Sequence, residues 1–306
     1  MPLNRKGRQL TGIFLLDKEK GVSSNRALQQ IKHLFGADKA GHTGSLDPLA
    51  TGVLPICFGQ ATKFSRFLLE AEKSYETTIR LGITTESGDA EARVVKRRPT
   101  DFLNMDRVES VLKMYRGKTQ QIPPMFSALK VDGERLYKLA RKGITIDREP
   151  RDIEIYELNL LSLAGNQAKL FIRCSKGTYV RTLVEDIGES IGCGAHVREL
   201  RRLQVASFSI RDCLTLDSIM GFRQKYELLD ARLLPVDSAL AGWPRIFVSE
   251  QSQISLKHGK TIYVESLAPM GLVTIYSESS NRPAEFLGIG EFLANGRLLP
   301  KKMLIN

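Results

Sequence analysis

The chain has 306 residues, 42% hydrophobic and 26% charged, with 45 Lys and Arg against 34 Asp and Glu for a formal net charge of +11. That length supports a sizeable core and two domains, and the composition is that of a globular protein rather than a disordered one. The positive balance favours a polyanionic partner, and no apolar run approaches the ~20 residues of a membrane-spanning helix.

The N-terminus carries charges with no apolar stretch behind them, so no signal peptide is expected. Leu15-Leu16-Asp17-Lys18 reads as the end of a strand. Gly21 to Asn25 reads as a turn capping a helix with Leu28, Ile31 and Phe35 on one face. Residues 41–55 follow as an irregular loop. A helix is predicted over 60–71, with Phe64, Phe67 and Leu68 inward. Alternation of Tyr75, Thr77, Ile79 and Leu81 predicts a strand over 74–82. Residues 106–116 read as a helix. Asp152 to Leu161 and Ala168 to Cys174 read as paired strands split by Gly165-Asn166, Thr178 to Ile191 as a helix, and 203–210 as a strand. Strands and helices without strict βαβ repetition predict an α+β fold with a mixed, largely antiparallel central sheet and flanking helices.

Residues 112–151 hold ten Lys or Arg against four acids. From Pro123-Pro124 to Arg151 the segment reads as a basic excursion, and its interleaved Phe126 and Tyr137 favour RNA contact over a merely solvated face. A domain boundary is expected near Ala241-Gly242-Trp243-Pro244. Beyond it, short apolar runs and frequent glycines without a long helix predict a small β-barrel of about 60 residues. The four cysteines form no C-x-x-C pair, so no metal site is expected; Cys57, Cys174 and Cys213 lie in apolar or alternating runs and read as buried thiols in a reducing cytoplasm.

The run G-H-T-G-S-L-D-P-L-A-T-G-V-L-P at 41–55 sets one carboxylate, Asp47, among three glycines and a proline. A rigid acid on an irregular loop is well placed for chemistry, although Asp-Pro alone is also an ordinary turn starter. His42 lies five residues upstream. Three further segments accompany it: Lys73-Ser74-Tyr75, the block Cys174-Ser175-Lys176-Gly177-Thr178-Tyr179-Val180-Arg181-Thr182-Leu183, and Ala195-His196-Val197-Arg198-Glu199-Leu200-Arg201-Arg202.

Together these four motifs, in this order, resemble the TruB family of tRNA pseudouridine-55 synthases, over essentially residues 10–240. Glu19 departs from the family pattern, which commonly has Pro there. The resemblance implies a pseudouridine-synthase-like catalytic domain over 1–240, with an RNA-gripping insertion at about 123–151. It implies a PUA-like RNA-binding domain over 245–306, where L-G-I-G-E and N-G-R-L-L-P-K-K fit. It implies Asp47 as the catalytic residue, Arg181 as its partner, and Tyr75 stacking on the base. Leu200 would lie against the base pocket, Tyr179 at the substrate, and His42 in the gap left by the flipped nucleotide. Lys18, Lys63, Lys130, Lys138, Arg141, Arg201 and Arg202 are expected at the RNA backbone.

Uridine isomerisation loses no group and changes no oxidation state, so no cofactor is expected. Arg181 beside Asp47 would keep the acid ionised, and Tyr75 could serve as base at the sugar. Whether Asp47 attacks C1′, attacks C6 or assists a glycal route is open at this stage. The expected partner is the T-arm of tRNA, with no membrane, no guide RNA and a monomeric enzyme. Two other readings stand beside it: a dyskerin-type guide-dependent synthase, which would resemble this chain without the basic insertion, and a non-catalytic RNA-binding or RNA-folding protein. Neutralising Lys130, Lys138 and Arg141 is expected to weaken RNA binding and flatten its salt dependence, by about 0.7 in the log–log slope per lost single-strand phosphate contact. An unchanged slope in filter binding would refute the grip.

Overall fold

The computed structural model describes residues 7–131, 133–278 and 283–304; the start of the basic N-terminus and the acid Asp132 lie outside the described residues. The elements run β1 (Gly12–Lys18), α1 (Ser24–Leu34), β2 (Ala40–His42), β3 (Thr51–Phe58), a 3-10 turn (Gly59–Phe64), α2 (Ser65–Glu70), β4 (Lys73–Leu81), β5 (Ile83–Thr85) and β6 (Val94–Arg97). They continue with α3 (Met105–Met114), β7 (Gly117–Gln121), β8 (Lys130–Val131), β9 (Glu134–Arg135), α4 (Leu136–Arg141), β10 (Arg151–Ala164), β11 (Gln167–Cys174), α5 (Val180–Ile191), β12 (Ala195–Val205) and β13 (Phe208–Ser209). After α6 (Leu216–Met220) and α7 (Tyr226–Asp230) come β14 (Arg245–Val248), α8 (Glu250–Lys257), β15 (Ile262–Tyr263), β16 (Gly271–Ser277), β17 (Phe286–Phe292) and β18 (Arg297–Met303).

The large sheet has the order β1-β3-β12-β4-β11-β10-β7, with β2 on β3 and β13 on β12. Its pairs are antiparallel except β12 with β3. The fold is therefore α+β with a mixed, largely antiparallel sheet, as the sequence predicts. Strand alternation explains the layering. Val53 and Cys57 of β3 face one core, while Leu54, Ile56 and Phe58 face another against Ile31 and Phe35 at α1. Tyr75 and Ile79 of β4 join Val197 and Leu200 of β12, Leu183 and Ile187 of α5, and Val108 and Leu112 of α3 in a third core.

Four boundaries differ from expectation. The 41–55 run is irregular only over 43–50, because β2 and β3 take its ends. The 60–71 helix splits into the 3-10 turn and α2. The strand expected at 203–210 begins at Ala195, so that β12 carries the whole of the Ala195–Arg202 motif. Interspersed charges hide its alternation: Leu200 and Arg202 point inward and Arg201 outward. Lastly, the C-terminal segment contains the eight-residue α8, whose pattern the flanking glycines masked.

The C-terminal strands form one five-stranded sheet, β14-β16-β17-β18-β15, curled as a half-barrel of PUA-like form. It is not a separate bead. Tyr276, Phe286 and Ile289 share a core with Phe64, Leu68 and Val236, and Phe67 meets Trp243 edge-on at 5.0 Å. Among the described residues, no helix is long and apolar enough to cross a membrane.

The parallel seam between β12 and β3 is short, pairing Arg201 with Thr51 and Arg202 with Gly52. Gly52 lies there at φ +107°, paired with Arg202, and a Cβ at Gly52 would overlap the Arg202 carbonyl. Only glycine tolerates both the dihedral and the approach. Gly52→Ala is expected to cost about 3 kcal/mol or more in urea unfolding; a loss below about 1 kcal/mol would contradict this close packing.

Candidate active site

Loop 43–50 is held at nearly every residue. The Thr43 amide donates to the Pro55 carbonyl at 3.1 Å, and Arg202 Nη2 donates to the Gly44 carbonyl at 3.0 Å. Ser24, buried on α1, closes both groups of Leu46: the Leu46 amide donates to Ser24 Oγ at 2.7 Å, and that hydroxyl donates to the Leu46 carbonyl at 2.9 Å. The Pro48 carbonyl accepts from the Gly21 amide at 2.8 Å and from Lys18 Nζ at 3.4 Å. Asp47 therefore stands on backbone pinned from α1, β1 and β12.

Arg181 arrives from the first turn of α5. Its Nε lies 2.8 Å from Asp47 Oδ2, its Nη1 donates to the Ser87 carbonyl at 2.7 Å, and its Nη2 donates to the Phe126 carbonyl at 2.8 Å. The Arg181 side chain is 5% exposed while that of Asp47 is 40% exposed. The cation is thus sealed behind the acid, and the acid keeps an open side. A second carboxylate, Asp89, lies 3.8 Å from Arg181 Nε and is itself buried, its Oδ1 taking the Ser87 hydroxyl at 2.7 Å and the Glu91 amide at 3.1 Å. Sequence reasoning missed Asp89 and Ser24. The Ser87-Gly88-Asp89 turn cluster was the available signal for the first; nothing in sequence marked Ser24 beyond its place in a helix-capping turn.

Tyr75 on β4 and Arg202 on β12 are direct cross-strand neighbours, and the guanidinium meets the phenol hydroxyl. Leu200 packs in the same core as Tyr75, 8% exposed. Tyr179 is the N-cap residue of α5 and is half-buried. His42 ends β2 with its Nδ1 buried and, among the described residues, unpartnered.

Lys18 and Arg202 do not fit the RNA-backbone role expected of them. Each is 1% exposed. Lys18 Nζ is spent on the carbonyls of Glu19 at 2.8 Å and Val22 at 2.7 Å, and Arg202 Nε on that of Val53 at 2.8 Å. A charge enclosed by carbonyls braces a loop and cannot meet a phosphate. Arg201 is outward but held in a two-pronged pair with Asp17, at 2.7 and 3.1 Å. Lys63 spans from the 3-10 turn to the last C-terminal strand, donating to Gln60 Oε1 at 3.0 Å and the Met303 carbonyl at 3.3 Å. Lys130, Lys138 and Arg141 are exposed on the hairpin and helix of the basic excursion.

Burial dominates the electrostatics. It pushes the Asp47 carboxyl upward, with Asp89 adding to the rise, while Arg181 and Lys18 pull it down. Arg181 thus opposes a larger desolvation cost, where the sequence reading had credited it alone. Burial likewise lifts the Tyr75 hydroxyl to about 12, so at neutral pH it is a neutral phenol. Burial and Arg202 lower His42, leaving a neutral imidazole. If Asp47 must be ionised to react, the rate falls as pH drops through its raised pKa. Removing the cation that lowers this pKa moves the acid limb to higher pH. Single-turnover pH profiles of Arg181→Gln are expected to show that displacement; a limb that stays, or moves to lower pH, would contradict it.

Comparison with known proteins gives the family. The model of the TruB family pseudouridylate synthase N-terminal domain matches residues 32–180. The tRNA pseudouridylate synthase B C-terminal domain matches 181–241, and the pseudouridine synthase II TruB C-terminal model matches 244–304. The protein called tRNA pseudouridine synthase B in Stutzerimonas stutzeri (strain A1501) is 48% identical over 304 residues, covering 99% of this chain and 98% of its own. The protein of the same name in Pseudomonas aeruginosa (strain UCBPP-PA14) is 46% identical at the same coverage. A chain in the crystal structure of a Cbf5-Nop10-Gar1 complex superposes with a TM-score of 0.73 at 23% identity, over 96% of this chain and 84% of that one; it speaks for the fold alone. This chain belongs to the TruB family of pseudouridylate synthases and is an isomerase of that class.

Proposed function

We propose that the chain converts uridine 55 in the T-loop of tRNA to pseudouridine, without a guide RNA, through Asp47 acting on a flipped-out nucleotide. The observation that carries this reading is the asymmetry of the ion pair: Asp47 stays 40% exposed while its cation is 5% exposed behind it. A nucleophile needs that arrangement, with its charge countered from the protein side and its free oxygen turned to the substrate. The relatives at 46–48% identity are named for tRNA, which supports the substrate class.

In the reaction the C1′–N1 bond breaks and C1′–C5 forms; C5 gives up a proton and N1 gains one. Electrons balance within the nucleoside. Asp47 bonds C1′ as the electron pair of the C1′–N1 bond leaves with the uracil, and is released when C5 of the rotated base takes C1′ in its place; Arg181 fixes which oxygen it presents. Tyr75, neutral and buried opposite Arg202, offers a ring face for the loosened uracil, worth of order ~1–3 kcal/mol. As a neutral phenol it can act as base only by giving up its proton as it takes another. Leu200 closes the apolar side of that pocket, and Tyr179 borders it at the head of α5. Flipping a stacked base costs a few kcal/mol, and a neutral His42 suits the vacated stack. Lys130, Lys138 and Arg141 supply exposed charge for the phosphates, with Lys63 and Arg201 as weaker, partly engaged contributors. The catalytic unit spans 1–240 with its insertion at 123–151, the RNA-binding unit spans 245–306, and the enzyme works beside its tRNA substrate in the cytoplasm.

Incubating the purified chain with an unmodified tRNA transcript and mapping pseudouridine tests the reading. The expected product is a single modified position at 55. Asp47→Asn is expected to lower the single-turnover rate by at least about a thousandfold with tRNA affinity nearly kept. Product formed by Asp47→Asn at the wild-type rate, or modification elsewhere alone, would overturn it.

A further inference from the structure

Gln121 ends β7 and is 4% exposed. Its amide is spent entirely on one residue. The Tyr179 amide donates to Gln121 Oε1 at 2.8 Å, and Gln121 Nε2 donates to the Tyr179 carbonyl at 3.1 Å. Tyr179 is the N-cap of α5, and its own side chain caps nothing. A cap needs only an acceptor for the first free amides of the helix. Gln121 does something else: it closes a ring with both backbone groups of one residue and so fixes a position, two residues before Arg181.

Gln121 is also where the basic excursion leaves the sheet. Its cross-strand partner is Arg151, the first residue of β10, so the whole excursion hangs between these two. Arg148 closes the neck by donating to the Pro123 carbonyl at 2.9 Å. Just beyond, the Phe126 carbonyl holds Arg181 Nη2 at 2.8 Å, and the Ser127 carbonyl accepts from the Tyr137 amide at 3.0 Å at the start of α4. That helix carries Lys138 and Arg141. Exposed cations and the buried ion pair are thus joined by consecutive hydrogen bonds.

We propose that Gln121 is a positioning residue that locks the root of the basic excursion to the head of α5, so that RNA held by the excursion and the Arg181–Asp47 pair share one geometry. The inference rests on the roles given above to Asp47 and Arg181. Asp47 faces Arg181 on α5, Asp89 on the turn after β5 and Lys18 at the end of β1, with Tyr75 on β4 and Tyr179 nearby. Of the charged groups, Arg181 is the one that Gln121 anchors, so loosening the lock weakens the interaction that holds the Asp47 pKa down.

Gln121→Met keeps the bulk and removes both hydrogen bonds. In the full chain, with a tRNA transcript, its single-turnover rate at saturating RNA is expected to fall about 10- to 100-fold, the scale of a misplacement of about 1 Å. Affinity should stay within about threefold, and the acid limb of the rate profile should move to higher pH. Gln121→Glu keeps the acceptor for the Tyr179 amide and loses the donor; its rate should lie between the two, and it carries the same readouts if Gln121→Met fails to fold. A rate unchanged in either soluble variant would overturn the proposal. So would rate and affinity falling together with the pH profile unmoved, the signature of a plain helix cap. An inactive wild-type chain would instead defeat the reading of Asp47.

Discussion

The guanidinium of Arg181 is the junction on which the site depends. It is almost fully buried, and three parts of the chain distant in sequence meet on it: the Asp47 loop, the turn at Ser87, and the excursion at Phe126. A buried cation must be paired and hydrogen-bonded or it destabilises the fold. Two carbonyls and a carboxylate at 2.7 to 2.8 Å satisfy it. The same bonds that make the charge tolerable therefore fix the carboxylate.

The surrounding charges follow the same logic. Lys18 and Lys73 are both enclosed, and burial lowers each to about 8. Lys73 Nζ meets the carbonyls of Leu68, Leu69 and Ala71 at the end of α2, where the helix dipole favours a cation. Arg202 ties β12 to β3 and to loop 43–50, while its guanidinium meets Tyr75. Each would be cheaper as a hydrophobic residue. Together they hold an irregular loop in a place where backbone groups would otherwise lack partners. Glu185, one turn after Arg181 and seated against Gly88, is lifted by burial to about 7, with Arg181 pulling it down.

Much of this was legible from residues alone. The strands β4, β10 and β11 announce themselves by alternation, and α1 by its Ser23 cap and its apolar face. Asp47, Tyr75 and Arg181 were picked out by motif, and the chain brings Asp47 and Arg181 together from 134 positions apart in number. Failures came where a residue behaves against its type. Lys18 and Arg202 looked like phosphate contacts because buried cations are rare. β12 was half missed because four of its eleven residues are charged. Asp89 meets Arg181 and Gln121 meets Tyr179 only in the folded chain, and no local pattern reports a partner that far along the sequence. The core that Phe64 shares with Tyr276 and Phe286, on either side of the boundary expected at 241–244, was not visible in composition.

The most direct test of the ion pair as a working unit is a double-mutant cycle on the single-turnover rate, using Asp47→Glu and Arg181→Lys at saturating tRNA transcript. Both changes keep the charge and alter only geometry. If the two groups act as one, the double variant should be little slower than the slower single variant, with a coupling energy of about 1 kcal/mol or more. Losses that simply multiply would show that Asp47 and Arg181 work independently and would contradict the account.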